Sequence, residues 1–244
     1  MLSAQRVRHA LVGTRFDDLR VVEEIDSTNR AARRLADDGT PEGLVIVADH
    51  QTAGRGRLGR RWEAPPGTSV LMSVLLRPNL AVADLHLVTA AVGLAARAAC
   101  GHVGGFLPDL KWPNDLLVGE AKLAGILAEA TLGAVVVGIG INVSTAPPGA
   151  TCVDAVSGRA VGREAVMVAL LADLDRRMRH WDRVIGDYRS ACATVGRAVL
   201  VLTPDGELRG RAQAVDDQGR LLVISETGAR VVVAAGDVVH VRPR

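Results

Sequence analysis

Aromatic residues are scarce in this chain of 244 residues, which has two Phe, three Trp and one Tyr. A surface that binds single-stranded nucleic acid by stacking bases would therefore have few rings to use. No charge of one sign dominates, since 29 Lys and Arg stand against 27 Asp and Glu, which excludes a polybasic tail. The hydrophobic fraction of 48% argues against intrinsic disorder. Most of the core must be aliphatic, and any ring among charged residues becomes a functional candidate.

Cysteine is also rare, and no long hydrophobic run is present. Cys100, Cys152 and Cys192 are widely spaced, form no C-x-x-C pair and lie among apolar or small residues, so we interpret them as reduced packing residues. The N-terminus has no apolar stretch typical of a signal peptide, and the apolar segment 85–100 is too short or too charged for a membrane span. We therefore expect a soluble, cytoplasmic protein that does not bind membranes.

Hydrophobic periodicity predicts both helices and strands in the first 190 residues or so. Apolar residues recur every three or four positions in 84–100 and 164–181, which predicts amphipathic helices, and Ser27 opens a third helix at 28–37. Runs rich in Val, Ile and Leu predict buried strands at 43–48, 69–76, 122–129 and 134–143. Strands and helices do not alternate strictly, which favours a mixed sheet flanked by helices over a doubly wound parallel sheet.

The pattern changes near residue 193. Five short segments with strand character follow, separated by turn sequences rich in Gly, Asp and Pro: 198–203, 208–215, 220–224, 230–233 and 238–241. Five short strands in about 50 residues are typical of a small β-barrel. The sequence thus predicts an α+β protein with a mixed-sheet domain at 1–192 and an all-β barrel at 193–244.

An arginine loop is predicted at residues 54–62 (GRGRLGRRW), directly after a probable strand. The segment matches G-x-G-x-x-G, but the following Pro65-Pro66-Gly67 would break the helix that a dinucleotide site requires, and no Walker A lysine follows. Arginine supplies permanently charged, bidentate donors for phosphate or carboxylate, and glycine lets the backbone approach closely. We interpret the loop as a mobile anion-binding segment; the alternatives are a solvated surface loop or an RNA-binding patch.

Two lysines lie in other suggestive settings. The segment 111–115 (KWPND) is compatible with a plain hairpin turn, but Lys111 and Asp115 about that turn could also hold phosphate and Mg²⁺. Strict alternation puts Lys122 on one strand face with Ala124 and Ile126, where an unpaired lysine is costly. Lys122 either reaches solvent at the strand end or faces an anionic ligand.

Two shorter signals complete the set. The segment 138–143 (GIGINV) has two glycines that would keep a floor flat for a planar base, with Asn142 as a strand-terminating residue or a ligand contact. Ser27 is either a helix N-cap or a ligand contact, and both roles are compatible.

Five segments of the chain resemble those of the biotin protein ligases, in that family's order and spacing. They are 27–29 (STN), 51–60 (QTAGRGRLGR), 111–115 (KWPND), 122–127 (KLAGIL) and 138–143 (GIGINV). Each segment alone is a modest signal, but the five together are specific and span nearly the whole chain. The predicted C-terminal barrel is also similar to the Src-homology-3-like domain of that family.

The resemblance implies a two-step ligase reaction. The biotin carboxylate attacks the α-phosphorus of MgATP to give biotinyl-5′-AMP and pyrophosphate, and a lysine of a biotin carboxyl carrier domain then attacks the mixed anhydride. ATP and biotin are the implied substrates, Mg²⁺ is the implied cofactor, and biotin-dependent carboxylases are the implied partners. Because a carboxylate and a triphosphate repel each other, the positive charge of the arginine loop suits this chemistry.

The resemblance also implies roles for individual residues. The biotin-binding residues are expected to be Ser27, Thr28, Asn29, Gln51, Gly54, Arg55, Arg57, Lys122 and Gly125. Those that contact ATP or the adenylate are expected to be Arg57, Arg60, Trp62, Asn114, Lys122 and Asn142. We expect Lys122, Arg57 and Lys111 to act in catalysis, and Asp115 to bind Mg²⁺ or position the substrate.

Some members of this family carry an N-terminal winged helix-turn-helix and repress transcription. Only 26 residues precede Ser27, fewer than the roughly 60 that such a domain needs, so we expect no sequence-specific DNA binding. Two other functions stay open at this point: a lipoate or octanoyl ligase or transferase, and a non-catalytic RNA-binding protein. The near-neutral net charge of +2 disfavours RNA binding, and the arginine loop together with KWPND favours biotin.

Overall fold

The computed structural model describes residues 2–81, 84–131, 133–203, 206–234 and 236–241. Among these residues two sheets are formed, and helices flank the larger one. The strands of the larger sheet are β1 (Leu19–Ile25), β2 (Val45–Gln51), β3 (Ser69–Leu76), β4 (Asp109–Lys111), β5 (Asp115–Val118), β6 (Ala121–Thr131) and β7 (Ala134–Asn142). The helices are α1 (Ala4–Ala10), α2 (Thr28–Asp37), α3 (His86–Ala99), α4 (Val153–Ser157), α5 (Arg163–Arg177) and α6 (Trp181–Ala191).

The larger sheet is mixed, as the lack of strict alternation predicted. Its strand order is β1-β2-β3-β7-β6-β5-β4. Only β1 and β2 pair in parallel, and every other neighbouring pair is antiparallel. The two short strands β4 and β5 form a hairpin whose turn is residues 112–114, so the plain hairpin interpretation of KWPND is correct for the backbone.

Alternation along β2 shows how the sheet buries both faces. Val45 and Val47 join the main core under α3 and α5, whereas Ile46 packs with Ala32 and Ala36 of α2 on the opposite face. All eight residues of the central strand β3 are buried. A strand covered on both sides reads as a continuous apolar run, which is why β3 and β7 could be predicted from the sequence.

The predicted helix at 164–181 is wrong in one respect, because it ends earlier and a second helix begins. α5 stops at Arg177, and α6 starts at Trp181 after a turn closed by hydrogen bonds from the amides of residues 179 and 180 to the carbonyls three positions earlier. The apolar spacing continues through the turn because Met178 and Trp181 both pack on the main core. No Gly or Pro marks the break, so periodicity alone runs across it.

One helical segment, His86–Gly104, is long and apolar enough to cross a membrane by length and composition. However, 61% of its most apolar window is buried inside the protein, as in the core helix of a globular domain. The three cysteines are free and buried, in agreement with their predicted packing role. Burial raises the pKa of the Cys100 thiol to about 12, which keeps it protonated and unreactive.

The second sheet contains the five C-terminal strands, β8 (Ala198–Thr203), β9 (Gly206–Val215), β10 (Leu221–Ser225), β11 (Arg230–Val233) and β12 (Asp237–His240). Their order is β11-β10-β9-β8-β12, and each pairing is antiparallel. The predicted fold class, a mixed-sheet α+β domain followed by a small all-β domain, is confirmed. The boundary between 192 and 193 stays a prediction.

The hairpin turn of β4 and β5 is fixed to the barrel sheet. The Trp112 backbone amide donates to the Thr194 hydroxyl at 3.0 Å, and the Trp112 indole Nε1 donates to the Gly219 carbonyl at 2.8 Å. The Ala193 amide also donates to the Leu110 carbonyl at 2.9 Å. The KWPND segment therefore joins the larger sheet to the barrel, and its tryptophan is a structural residue with 3% exposure.

Candidate active site

A cavity of about 110 Å³ lies where the N-terminus of α2, the end of β2 and the strands β5, β6 and β7 meet beneath the arginine loop. We call this cavity the cleft. It brings together twelve of the predicted site residues from four distant segments: Ser27, Thr28, Asn29, Gln51, Arg55, Arg57, Arg60, Trp62, Asn114, Asp115, Lys122 and Gly125. A second cavity of about 640 Å³ adjoins it, and Gly54 and Asn142 line that one.

Polar groups at the start of α2 form one end of the cleft. The backbone amide and hydroxyl of Thr28 both donate to Gln51 Oε1, at 2.7 and 3.0 Å. Ser27 has the extended backbone of an N-cap but makes no side-chain capping bond, and it is almost fully buried. The hydroxyl of Ser27 is thus not committed to the helix, and Thr28 fixes the orientation of the Gln51 amide.

Asn29 is engaged entirely within the protein. The Ser73 hydroxyl lies 2.6 Å from Asn29 Oδ1. The Asn29 amide nitrogen donates to the Leu127 carbonyl at 3.1 Å and to the Glu129 carboxylate at 2.9 Å. A Cβ on Gly138 would lie 2.1 Å from Asn29 Oδ1, so only glycine leaves room for this arrangement. The geometry makes Asn29 a brace for the cleft wall.

The floor of the cleft is made by two glycines that pair across β6 and β7, and an indole ring lies on it. A Cβ on Gly140 would be 2.3 Å from Trp62 Cε2, and one on Gly125 would be 3.1 Å from Trp62 Cζ3. The Trp62 Nε1 group is buried and has no hydrogen-bond partner among the residues that the structure describes. The planar group that covers the glycine floor is therefore the Trp62 ring of the protein itself.

Lys122 faces the cleft because β6 carries a bulge. The register of the β5–β6 pairing shifts between Leu116 and Leu117 of β5, so that β6 contributes one extra residue at this point. Lys122 Nζ lies 3.1 Å from the position of a Gly125 Cβ and 5.7 Å from the centre of the Trp62 ring. The expectation that Lys122 shares a face with Ala124 and Ile126 is therefore wrong, since strict alternation ignores the bulge.

Lys122 also has a partner that the sequence did not suggest. Its Nζ forms an ion pair with Asp115 Oδ1 at 2.7 Å, with the two side chains 38% and 19% exposed. The pairing of β5 with β6 produces this contact between two separate motifs. Lys122 and Asp115 thus form a partly solvated pair on the cleft wall, in which either group can exchange its partner for a ligand.

The arginine loop folds back on itself over the cleft. Gly54 accepts from the Trp62 amide, and the Gly56 amide donates to the Arg60 carbonyl at 2.7 Å. A Cβ on Gly54 would lie 2.3 Å from the Trp62 carbonyl, so the closure requires glycine there. Leu58 at the tip has φ 55 and is 71% exposed. These contacts make residues 54–62 a narrow hairpin with its apolar tip in solvent.

Three arginines tie this loop to three different elements. Arg55 Nη1 donates to Glu129 of β6 at 3.1 Å, and Arg57 Nη1 donates to Asn114 Oδ1 at 3.3 Å. Arg60 pairs with Asp237 of the barrel at 2.9 Å. Burial lowers the pKa of Arg57 from its usual value, and Asp237 acts in the opposite direction. An arginine desolvated in this way interacts strongly with an anion that enters the cleft.

Three predicted residues, Lys111, Gly54 and Asn142, lie outside the cleft lining, whereas Trp62 is part of it. Lys111 lines neither cavity; its charge acts on His240 of the barrel, whose pKa is lowered to about 4 by burial first and then by Lys111. Asn142 donates to the Thr151 carbonyl at 3.1 Å and lines the second cavity with Gly54. Trp62 lines both cavities.

Two site residues were missed, Glu129 and Asp237, and both are carboxylates that bind loop arginines. Glu129 is an acidic residue at the end of an apolar strand, and four arginines in the loop imply acidic partners. The need for acidic partners could be inferred from the sequence, but it does not identify Glu129 and Asp237 among the 27 Asp and Glu residues. The structure also places no cluster of three or more His, Cys, Asp or Glu side chains for a metal ion among its described residues.

The chain matches two family models. Residues 21–145 match the Biotin/lipoate A/B protein ligase family, and residues 194–241 match the Biotin protein ligase C terminal domain. It is 38% identical to a Biotin--[acetyl-CoA-carboxylase] ligase of Mycobacterium tuberculosis over 99% of this chain and 96% of that protein. It is 31% identical to the bifunctional ligase/repressor BirA of Bacillus subtilis, over 86% of this chain and 70% of that protein.

A solved structure agrees with these matches. The biotin protein ligase from Aquifex aeolicus in complex with biotin and ATP superposes with a TM-score of 0.81 and 28% identity, over 93% of this chain and all of that one. The first family model also includes lipoate ligases, but the second model and the full-length relatives are specific to biotin. The chain therefore belongs to the biotin protein ligase family.

Proposed function

We propose that this chain activates biotin with ATP and transfers the biotinyl group to a lysine of a biotin carboxyl carrier domain. In the first step a biotin carboxylate oxygen bonds to the α-phosphorus of ATP, and the bond to the leaving pyrophosphate breaks. In the second step the lysine amine bonds to the carbonyl carbon of the anhydride, and AMP leaves. The observation that carries this proposal is the convergence of Arg55, Arg57 and Lys122 on a cleft with a buried polar end.

The buried polar end suits the ureido head of biotin. A ureido group has one carbonyl acceptor and two N–H donors, so its burial requires a small number of well-placed partners. Ser27, Thr28 and Gln51 supply hydroxyl and amide groups there, and the Thr28 contacts fix the Gln51 amide before a ligand arrives. Asn29 supports this end by holding α2 against β6.

The cationic side of the cleft suits the reacting anions. A carboxylate and an α-phosphate repel each other, and fixed positive groups lower the cost of bringing them into line. Arg57 is partly buried and Lys122 lies on the glycine floor, so both charges act where water is partly excluded. The reaction itself requires no proton transfer in the first step, which agrees with a site rich in permanent cations.

The second cavity suits the nucleotide. It is larger than the cleft, adjoins it through Gln51 and Trp62, and has Asn142 at its wall. The cleft of about 110 Å³ is smaller than the roughly 300 Å³ of a typical ligand pocket. We infer that the Trp62 ring leaves the floor when biotin binds and then packs beside the nucleotide.

Asp115 is the best-placed ligand for Mg²⁺. Mg²⁺ is commonly held by one or two carboxylates together with substrate phosphates, so a single carboxylate at the cleft fits a metal that arrives with ATP. The ion, when bound, would neutralise phosphate charge, and Asp115 would then release Lys122 to the reacting groups. Lys111 has no contact with the cleft, and its proposed catalytic role would have to act through the hairpin that carries Asn114 and Asp115.

The test combines the purified chain with biotin, MgATP and a carrier domain, followed by intact mass measurement of the carrier. We expect the carrier to gain one biotinyl group, and to gain nothing when ATP is omitted or its target lysine is replaced by arginine. Lipoate in place of biotin gives the matched specificity control. A carrier whose mass stays unchanged with biotin and MgATP, or increases only with lipoate, would contradict the proposal.

A further inference from the structure

The Glu129 carboxylate collects three donors from two parts of the chain. Asn29 Nδ2 donates to Oε2 at 2.9 Å. Arg33 Nη1 and Arg55 Nη1 both donate to Oε1, at 3.2 and 3.1 Å. The Glu129 side chain is 15% exposed and lies behind the cleft wall, since it is not part of the cavity lining. Glu129 therefore links the α2 end of the site to the arginine loop without touching the ligand space.

Two of these donors fix the carboxylate itself. Asn29 and Arg33 are four residues apart on α2, so they project from the same face of the helix. Both contact Glu129, and the helix is held against the sheet by its buried alanines. The Glu129 carboxylate is consequently a rigid anchor, whereas Arg55 comes from the loop and is 44% exposed.

The charges show that Arg55 is not needed to neutralise Glu129. One guanidinium balances one carboxylate, and Arg33 already provides it. A second guanidinium on the same oxygen adds positive charge beside the cleft, where Arg55 is part of the lining. Because an arginine has five N–H donors and Glu129 uses Nη1, the remaining donors are available to a ligand anion. The main effect of the contact is therefore to hold Arg55 in place, because Arg33 already balances the charge of Glu129.

We propose that Glu129 is a positioning residue that holds Arg55 against the cleft wall, so that its other N–H groups meet the carboxylate of biotin. This inference rests on the proposed function for the identity of the ligand. Glu129 acts through Arg55 and touches no reacting atom. Its effect is on biotin binding before the chemical step, because a donor that is already in place costs less ordering on binding.

The direct test is Glu129→Gln, assayed by pyrophosphate release at varied biotin and saturating MgATP. Glutamine has nearly the same side-chain volume as glutamate but carries no charge. We expect the KM for biotin to rise about tenfold, the usual effect of weakening one charged hydrogen bond, with kcat within about twofold. Arg33→Gln is the matched control: Asn29 still holds Oε2 of Glu129 and Arg55 keeps its own hydrogen bond to Oε1, so the KM should stay within about twofold.

A double-mutant cycle separates positioning from a general structural role. In an Arg55→Ala background, Glu129→Gln should cause no further rise in the KM for biotin, because its route of action is gone. The proposal is overturned if Glu129→Gln leaves the KM for biotin unchanged, or if it raises the KM as much in the Arg55→Ala background as in the wild type. A rise in the KM of Arg33→Gln equal to that of Glu129→Gln would also overturn it. If Glu129→Gln does not fold, Glu129→Asp, which draws the carboxylate back by one methylene, takes its place in the same cycle.

A second measurement does not depend on the reaction. Trypsin should cleave after Arg55 faster in ligand-free Glu129→Gln than in the wild type, while Arg33→Gln should match the wild type. If the wild type forms no adenylate, the proposed function fails, and the cleavage rates still report on the tether. Equal cleavage in all three proteins would contradict the Glu129–Arg55 tether itself.

Discussion

Arg60 of the arginine loop and Asp237 at the start of β12 form an ion pair with a separation of 2.9 Å. The pair joins the arginine loop directly to the barrel. Both side chains line the cleft, with Arg60 55% and Asp237 28% exposed. A partly exposed pair of this kind contributes little to global stability, so its main effect is on the position of the loop.

Asp237→Asn should therefore loosen the loop without unfolding the barrel. We expect tryptic cleavage within residues 54–62 to accelerate in the ligand-free protein, and dissociation of biotinyl-5′-AMP to become about three- to tenfold faster. Limited proteolysis and adenylate release measure these changes. The control Glu207→Gln removes the carboxylate of a barrel ion pair remote from the cleft, Arg209–Glu207 at 3.7 Å. If both variants release adenylate at the wild-type rate, Asp237 has no role in holding the loop.

Lys122→Ala should fold normally and lose adenylate formation by about 100- to 1,000-fold, the usual cost of removing one preorganised charge donor. Pyrophosphate release measures the rate, and thermal unfolding checks the fold. Arg20→Ala, on the edge strand β1, is the control for loss of one positive charge, since Arg20 pairs with Asp18 and does not line the cleft. Normal pyrophosphate release from Lys122→Ala would remove this lysine from the chemical step.

Biotin should change the fluorescence of Trp62. The ring now lies on Gly125 and Gly140, and its Nε1 is buried with no hydrogen-bond partner among the described residues. Displacement into water should move its emission to longer wavelength, and the effect should be absent in Trp62→Phe. Trp112 and Trp181 remain in that variant and serve as internal controls. A biotin-induced shift that persists in Trp62→Phe would contradict the movement of this ring.

Gly138→Ala should disrupt the brace formed by Asn29. The added Cβ would lie 2.1 Å from Asn29 Oδ1, so the amide must move away from Ser73 and Glu129. We expect a loss of about 1–3 kcal/mol in the free energy of unfolding and weaker biotin binding. Gly186→Ala is the control, because its Cβ meets open space in α6 and should stabilise the helix slightly. Urea unfolding of both variants gives the comparison, and equal stability would count against the brace.

His240 should make stability depend on mildly acidic pH. Burial, then the charges of Lys111 and Arg197, lower its pKa from 6.5 to about 4, and Glu120 acts in the opposite direction. The folded protein therefore binds fewer protons than the unfolded chain between these values, so the free energy of unfolding falls as pH decreases from about 6.5 to about 4. Above pH 6.5 this contribution is fully present.

The measurement is urea unfolding across that pH range. His240→Gln should flatten the decline, while its stability at pH 7 reports separately the loss of the Thr194–His240 contact. The carboxylates with lowered pKa, such as Asp175 and Glu164, lose their contribution only as pH falls below about 4, outside most of this window. An equal slope in wild type and variant would refute the assignment to His240.

Most of the helices and strands could be predicted from local patterns in the sequence. The barrel strands were predicted nearly to the residue, because each is short, β-rich and bounded by turn residues. The break between α5 and α6 was missed because apolar spacing continues through Met178 and Trp181. The orientation of Lys122 was wrong because a bulge leaves no mark in the pattern.

The site was less accessible to sequence reasoning, because its ion pairs join distant segments. The resemblance supplied twelve residues that line the cleft, but neither the pairing of Glu129 with Arg55 nor that of Asp115 with Lys122 follows from a local motif. Asn29 was predicted as a biotin contact; it lines the cleft, and its amide also makes hydrogen bonds to Ser73, Leu127 and Glu129. Whether it also meets biotin stays a prediction.

The position of the Trp62 ring on the glycine floor bears on the order in which the substrates are expected to bind. Trp62 lines both cavities, and its ring covers the glycine floor of the cleft. Under the proposed function the ring leaves the floor when biotin binds and then packs beside the nucleotide, so we expect biotin to bind before ATP. Ordered addition, with biotin first, is thus the kinetic behaviour that we expect from the position of one side chain.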